Sequence, residues 1–256
     1  MEPKKVALVT GARRGIGRAT AYALAEAGFD VLINDVVGGP DADETLLGIA
    51  QRGVRGEFFE ADISDLAAHA PLIKQAYESF GRLDCLVNNA GVQIAVRGDI
   101  LDVPPEEFDR LININLKGTF FLTQEAARCM LAESPSREGR SIVTITSANA
   151  TMVSPEKSVY CVSKSGLSMA VQLFAVRLAK AGIALFEVRP GLIATDMTAQ
   201  VRDYYSDRMD SGLVPIPRWG RPEDIAQAIK SLASGALPYA TGHAIEIDGG
   251  LLLPRL

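Results

Sequence analysis

Short unbroken apolar runs alternate with stretches of helical periodicity along this chain. The first run, Val6–Thr10, is apolar at nearly every position and predicts a strand buried on both faces. Comparable runs fall at 31–34, 84–88, 141–146 and 183–188, with shorter ones at 57–59 and 243–247. Between them, helical patterns cover 18–27, 41–52, 64–80, 106–133 and 222–234, and a further one carries Tyr160 and ends at Ala181. Gly28 and Gly182 stop two of these helices, Ser64 is placed to cap a third, and Pro105 and Pro222 open two more. Gly38-Gly39-Pro40 breaks the chain after the second strand, and 134–139 reads as a polar loop. Strand and helix in alternation, with short connections, predict an α/β fold: a doubly wound parallel sheet with helices on both faces. No repeat, linker or shift of composition divides residues 1–256, so a single domain is expected.

Composition narrows the function classes. With 48% hydrophobic and 22% charged residues the chain has the make-up of an ordinary soluble globule. A net charge of −5 argues against nucleic acid as a partner. The apolar segment behind Met1-Glu2-Pro3-Lys4-Lys5 is broken at Gly11, too soon for a signal peptide, and no apolar run reads as a membrane span. Cys85, Cys129 and Cys161 show no CxxC spacing and leave an odd count, which predicts reduced thiols and a cytoplasmic setting. His69 and His243 stand far apart without neighbouring ligand types, so neither a metal site nor a Ser-His-Asp hydrolase is expected.

Two stretches carry chemistry. Gly11, Gly15, Ile16 and Gly17 lie between the first strand and its helix, where glycines allow a tight turn and let backbone N–H groups approach a pyrophosphate. The spacing is G-x-x-x-G-x-G, and the glycines alone would equally suit a plain strand-to-helix turn. Asp35, ending the second strand, is where a carboxylate can accept hydrogen bonds from an adenosine ribose and repel a 2′-phosphate. Arg13 and Arg14 pull the other way, because guanidinium pairs with phosphate. NAD is therefore favoured, with NADP as the alternative. The second stretch is Tyr160-x-x-x-Lys164, two side chains on one helix face. An ammonium beside a phenol is expected to lower the tyrosine pKa and make it a proton donor and acceptor for a carbonyl/alcohol pair.

Thr10-Gly11-Ala12-Arg13-Arg14-Gly15-Ile16-Gly17, Asn88-Asn89-Ala90-Gly91 and Tyr160-x-x-x-Lys164 with Ser147 upstream together resemble the short-chain dehydrogenase/reductase family. The likeness runs over essentially the whole chain, and implies a Rossmann-type domain. It makes Tyr160 the acid/base and Lys164 its partner, which also binds the nicotinamide ribose. Ser147 would hydrogen-bond the substrate oxygen, and Asn115 would hold a water linking Lys164 to solvent. Asp62 and Ile63 would meet the adenine, Asn89, Ala90 and Gly91 would line the nucleotide, and Pro190, Gly191, Ile193 and Thr195 would pack on the nicotinamide and its phosphates.

Segments after Gly91, Ser147 and Gly191 would shape the substrate pocket, with Gln93, Asn149, Met152, Val153, Leu192, Met197, Tyr204 and Tyr205 as candidates. Arg97 could meet an acidic substrate group, or be a solvated loop residue. Much of the chain resembles the 3-oxoacyl-(acyl-carrier-protein) reductase branch, including 189–197 and 242–250, and this implies acyl carrier protein as a partner. Against it stand Asp35 and the positions of the carrier-facing bases, here Glu138 and Ala181 with Arg137 and Lys180 one residue earlier. An NAD-linked polyol, sugar or other secondary-alcohol dehydrogenase is the rival. A non-catalytic NAD sensor is the remaining alternative, though such a protein should lack the tyrosine or the lysine. The resemblance also implies a homotetramer built on the helices 106–133 and 159–181 and the last strand. Ala126, Ala127, Met130, Met169, Leu173 and Phe174 would suit such an interface or a core, and the apolar tail 251–256 is expected to pack on a neighbouring subunit.

Overall fold

The computed structural model describes residues 4–133 and 139–255. Seven strands form one sheet: β1 (Val6–Thr10), β2 (Asp30–Asp35), β3 (Gly56–Glu60), β4 (Cys85–Asn88), β5 (Arg140–Ile145), β6 (Ile183–Pro190) and β7 (His243–Ile247). Their order is β3-β2-β1-β4-β5-β6-β7 and every pairing is parallel. The helices are α1 (Gly15–Glu26), α2 (Pro40–Gln51), α3 (His69–Phe80), α4 (Pro105–Leu111), α5 (Thr119–Ala132), α6 (Ser158–Leu178), α7 (Arg202–Asp210) and α8 (Pro222–Ala233).

β1 shows how the apolar pattern becomes layers. Side chains alternate between the faces of a strand, so an unbroken apolar run needs cover on both. Ala7 and Val9 pack on one side with Leu24, Ile225 and Ile229 from α1 and α8. Leu8 packs on the other with Leu72, Leu122 and Val171 from α3, α5 and α6. Each such side chain taken from water stabilises the fold by about 1.5–3 kcal/mol. The chain winds from β1 outward to β2 and β3, then crosses to β4 on the other side. That reversal opens a crevice beyond the carboxyl ends of β1 and β4.

Several elements differ from the sequence expectation. Ser64 does not cap α3; a 3₁₀ turn, Leu66–Ala68, comes first, capped by Asp65, whose carboxylate accepts from Ala67 N–H at 2.9 Å. The expected helix over 106–133 is interrupted by a π-helical stretch, Ile112–Gly118, so α4 and α5 are two pieces. The last residue of that stretch, Gly118, lies close against the chain after β3: a Cβ there would lie 3.0 Å from the Ile63 carbonyl carbon. The helix ending at Ala181 is α-helical only to Leu178, then tightens into 3₁₀ before Gly182 at φ +71°. A 3₁₀ segment, Asp196–Val201, and α7 occupy a region with no predicted element, because Arg202–Asp210 is polar almost throughout and has no apolar stripe. The helical stretch Pro155–Ala181 is long and apolar enough to cross a membrane, a length the sequence reading did not credit it with. Half of its apolar window is buried inside the protein, α6 packing on β6 and α5. Ala126, Ala127 and Met130 belong to the chain's own core, whereas Met169 and Leu173 are exposed. Most of the predicted polar loop, 134–138, lies outside the described residues.

Candidate active site

A cavity of about 870 Å³ fills the crevice. The loop after β1 contributes Gly11, Arg13, Arg14, Gly15, Ile16 and Gly17 to its wall, and the ends of β2 and β3 add Asp35, Asp62 and Ile63. Asn89, Ala90 and Gly91 follow from β4, and Pro190, Gly191, Ile193 and Thr195 from β6. Ser147, Tyr160 and Lys164 line the same space.

The glycine loop is shaped by close contacts. Gly11 takes φ +63°, and a Cβ on it would sit 2.9 Å from Ala90 Cα. A Cβ on Gly17 would sit 2.7 Å from both Ala12 Cα and Asn89 Nδ2. Asn89 holds the loop to β4, its amide donating to Thr10 O at 2.8 Å and Gly11 O at 2.9 Å. Thr10 Oγ1 in turn accepts from the backbone of Asn89 and Ala90. Asn88 points elsewhere and donates to Thr123 and Thr144. The two asparagines thus fasten β4 to β1 on one side and to α5 and β5 on the other. With the N-terminus of α1 at Gly15 facing this turn, the residues fit a dinucleotide pyrophosphate.

Asp35 is held at the wall by Val36 N–H at 2.9 Å and Arg13 N–H at 3.3 Å. The Arg13 guanidinium is engaged by two carboxylates, Asp35 at 3.6 Å and Asp41 at 3.4 Å. Arg14 pairs with Asp196 at 3.1 Å on the exposed rim. Asp62 turns its carboxylate onto Ser64 N–H at 2.8 Å.

Tyr160 and Lys164 leave one face of α6 as their spacing requires, the Lys164 ammonium lying 5.7 Å from the Tyr160 ring centroid and donating to Ile145 O at 3.1 Å. Ser147, two residues past the end of β5, lies near enough to the phenol to act on its pKa. The expected acidification of Tyr160 is overturned for the protein's own groups. Burial pushes the phenol up to about 12, and Ser147 only partly opposes it. Burial likewise pushes Lys164 down to about 8, with the carboxylate of Glu187 opposing. Below that value Lys164 is mostly ammonium and Tyr160 is protonated. Asn115 sits in the π-helical stretch, fully buried, and is not part of the cavity wall. Its amide donates to Val92 O at 2.9 Å and Ser163 Oγ at 3.2 Å and accepts from Val92 N–H, so the side chain braces the segment after Gly91.

Gln93, Asn149, Met152, Val153, Leu192, Met197, Tyr204 and Tyr205 all line the cavity. Arg97 does not; it lies on an exposed loop. Two charged residues escaped the sequence reading. Glu187, 1% exposed, accepts from Thr146 at 2.6 Å, Ser168 at 2.7 Å and Arg189 at 2.6 Å, and so ties β5 beside Ser147 to α6. An acid in an apolar strand two residues from an arginine, on the same face, is the signal that could have found it. The other is Lys157, one turn ahead of Tyr160. α7 adds Arg208 beside the two tyrosines, its position fixed by buried Met209 and the stacking of Tyr205 on Trp219 at 6.5 Å.

Comparison with known proteins agrees with this geometry. A family model described as enoyl-(acyl carrier protein) reductase matches residues 11–252. A 3-oxoacyl-[acyl-carrier-protein] reductase from Synechocystis is 34% identical over 97% of each chain. A 2-dehydro-3-deoxy-D-gluconate 5-dehydrogenase from Dickeya dadantii is 35% identical over 97% of this chain and 95% of its own. Among solved structures, a 3-oxoacyl-[acyl-carrier protein] reductase from Brucella melitensis in complex with NAD is 44% identical, covers both chains completely and superposes with a TM-score of 0.96. A doubly wound sheet, a glycine turn against the asparagines of β4, and a serine–tyrosine–lysine wall on one cavity thus occur in a chain with such relatives: it belongs to the short-chain dehydrogenase/reductase family and is an oxidoreductase.

Proposed function

We propose that this chain interconverts a ketone and a secondary alcohol with NAD(H), Tyr160 being the proton donor and acceptor. The observation that carries the reading is the meeting of Tyr160, Ser147 and Lys164 on the wall shared with the glycine loop. The nicotinamide, when bound, supplies or accepts the hydride at the carbinol carbon. The chain's own residues handle the proton. A phenol raised to about 12 stays protonated at neutral pH and can give its proton to the oxygen that becomes alkoxide-like as the C=O turns into CH–OH. Ser147 hydrogen-bonds the same oxygen. The Lys164 ammonium stabilises the phenolate left behind until a proton from solvent restores the phenol, and Asn115 positions the strand-to-loop segment after Gly91. The same groups run the alcohol oxidation in reverse.

For the coenzyme, Asp35 and the engagement of Arg13 by two carboxylates favour NAD over NADP. For the substrate, the reductase relatives support a 3-oxoacyl thioester. A sugar or other secondary-alcohol substrate is the second reading, favoured by Asp35 and the Dickeya relative. For acyl carrier protein as a partner, exposed Lys180 stands one residue before the carrier-facing position, where Ala181 has no charge to offer; Arg137 and Glu138 lie outside the described residues. The test is NADH consumption at 340 nm with an acetoacetyl thioester against oxidation of a polyol panel, using NAD(H) and NADP(H) in parallel. Turnover of at least one substrate with NAD(H) is the expected result; tight NADH binding with no turnover of any would support the sensor instead.

Exposed Met169, Leu173 and Val176 form an apolar stripe on α6 that supports the homotetramer. The tail is less committed, Leu251 lining the cavity and Leu253 lying exposed. Light scattering should give four 27.3 kDa chains per particle, and a monomer would contradict the assignment. Three free cysteines fit a reducing, cytoplasmic setting.

A further inference from the structure

We infer that Lys157 forms an anion subsite, so that the substrate carries a carboxylate close to the carbon that exchanges hydride. This rests on the ketone–alcohol reading above and separates its two substrate branches.

Lys157 ends the 3₁₀ turn Pro155–Lys157 that leads into α6, three residues and about one turn before Tyr160. It is only 8% exposed, yet it lines the cavity together with Tyr160 and Ser147. Among the described residues its ammonium makes no hydrogen bond and no ion pair; the ring of Tyr205, centred 6.0 Å away, is its one close aromatic neighbour. A buried ammonium without a paired counter-charge is costly; burial with the like charge of Arg97 pushes its pKa down, and Cys161 and Glu156 only partly oppose this.

The charged groups around it deepen that imbalance. Arg208 of α7 lines the same space, adding a second positive charge. Glu156 and Asp102 are exposed, and Asp99, in the segment packed against the turn, is engaged by Leu101 N–H at 2.9 Å. The carboxylates that do line the cavity are Asp35, Asp62 and Asp196; the first and third are paired with Arg13 and Arg14, and Asp62 holds Ser64 N–H. Among the described residues, the substrate end therefore presents cations with no acid paired to them; Glu156 acts on Lys157 through space but is exposed and makes no ion pair with it. A carboxylate on the substrate supplies the missing partner, and a charge-assisted hydrogen bond to it would fix the carbinol one turn away, at Tyr160. A 3-oxoacyl thioester has no charge at that distance; a short keto acid or a sugar acid has one.

The test uses matched probes, 4-oxopentanoate and its methyl ester, with the full-length protein and NADH. Reduction is followed at 340 nm, and binding by the change in fluorescence of the bound NADH. The wild type should favour the acid over the ester by about tenfold or more in kcat/KM, mainly through KM. Lys157→Met should collapse that ratio toward one, and Lys157→Arg should keep it, with NADH binding showing that both variants are folded. Equal or better use of the ester by the wild type, or a ratio unmoved in Lys157→Met, overturns the subsite. If neither probe is reduced but the acid still binds tenfold tighter than the ester in a Lys157-dependent way, the subsite stands and the reaction assignment falls.

Discussion

Tyr160→Phe should lower kcat for reduction and oxidation alike by about 10²–10⁴-fold, the range spanned by a positioned acid/base. The ring that packs with Leu111 and Val159 is kept, so the fold should be unchanged and NADH affinity should stay within about threefold of wild type. The variant leaves Lys164 at its post near the ring, and Ser147 still able to hydrogen-bond the carbonyl. What is lost is the phenol proton that passes to the alkoxide, which the less acidic Ser147 hydroxyl can steady but not replace. The pH dependence has a definite sign. A phenol near 12 is the donor throughout neutral pH, so reduction should hold level there and decline on the alkaline side as Lys164, near 8, loses its charge. Oxidation should rise with pH, since it needs the phenolate, and less steeply above about 8, where Lys164 no longer supplies the charge that stabilises it. Stopped-flow rates at 340 nm from pH 6 to pH 10 would show both limbs. A Tyr160→Phe variant with wild-type rates in either direction would remove the tyrosine from the mechanism.

What the sequence made legible follows from how local each signal is. The strands could be read because a parallel strand covered on both faces is buried along its whole length and so mostly apolar, as β1, β4 and the middle of β5 are. The glycine turn and the Tyr160–Lys164 pair could be read because each is a fixed spacing within one turn of chain. The π-helical stretch at Asn115 could not, since no local pattern marks it and the residue it packs against at Gly118, Ile63, is far away in sequence. The same holds for α7, stabilised by Trp219 and by one buried methionine rather than by a stripe. The phenol's pKa was misjudged for a related reason. Spacing reveals that a charge is near, but not how much water has been excluded, and here exclusion is the larger effect.

The coenzyme preference should turn chiefly on Asp35. Asp35→Asn keeps the shape and the acceptor for Val36 N–H, and removes one negative charge from a side chain 14% exposed. A carboxylate about 4 Å from a phosphate charge opposes it by about 4 kcal/mol at an effective dielectric of 20. Water at the open cavity reduces that, so the ratio of kcat/KM for NADP(H) over NAD(H) should rise by about 10²-fold. Part of the rise comes from Arg13, which keeps Asp41 but is released from Asp35 and can turn to a 2′-phosphate. NAD(H) itself should lose about tenfold in KM, because an amide is a weaker acceptor for the ribose hydroxyls than a carboxylate. Raising the salt concentration should narrow the wild-type discrimination by screening the repulsion, and should lower rather than raise NADP(H) use by the variant, where the Arg13–phosphate attraction is what is screened. A wild type that prefers NADP(H), or a ratio indifferent to Asp35→Asn, would mean that the ribose is read by other groups.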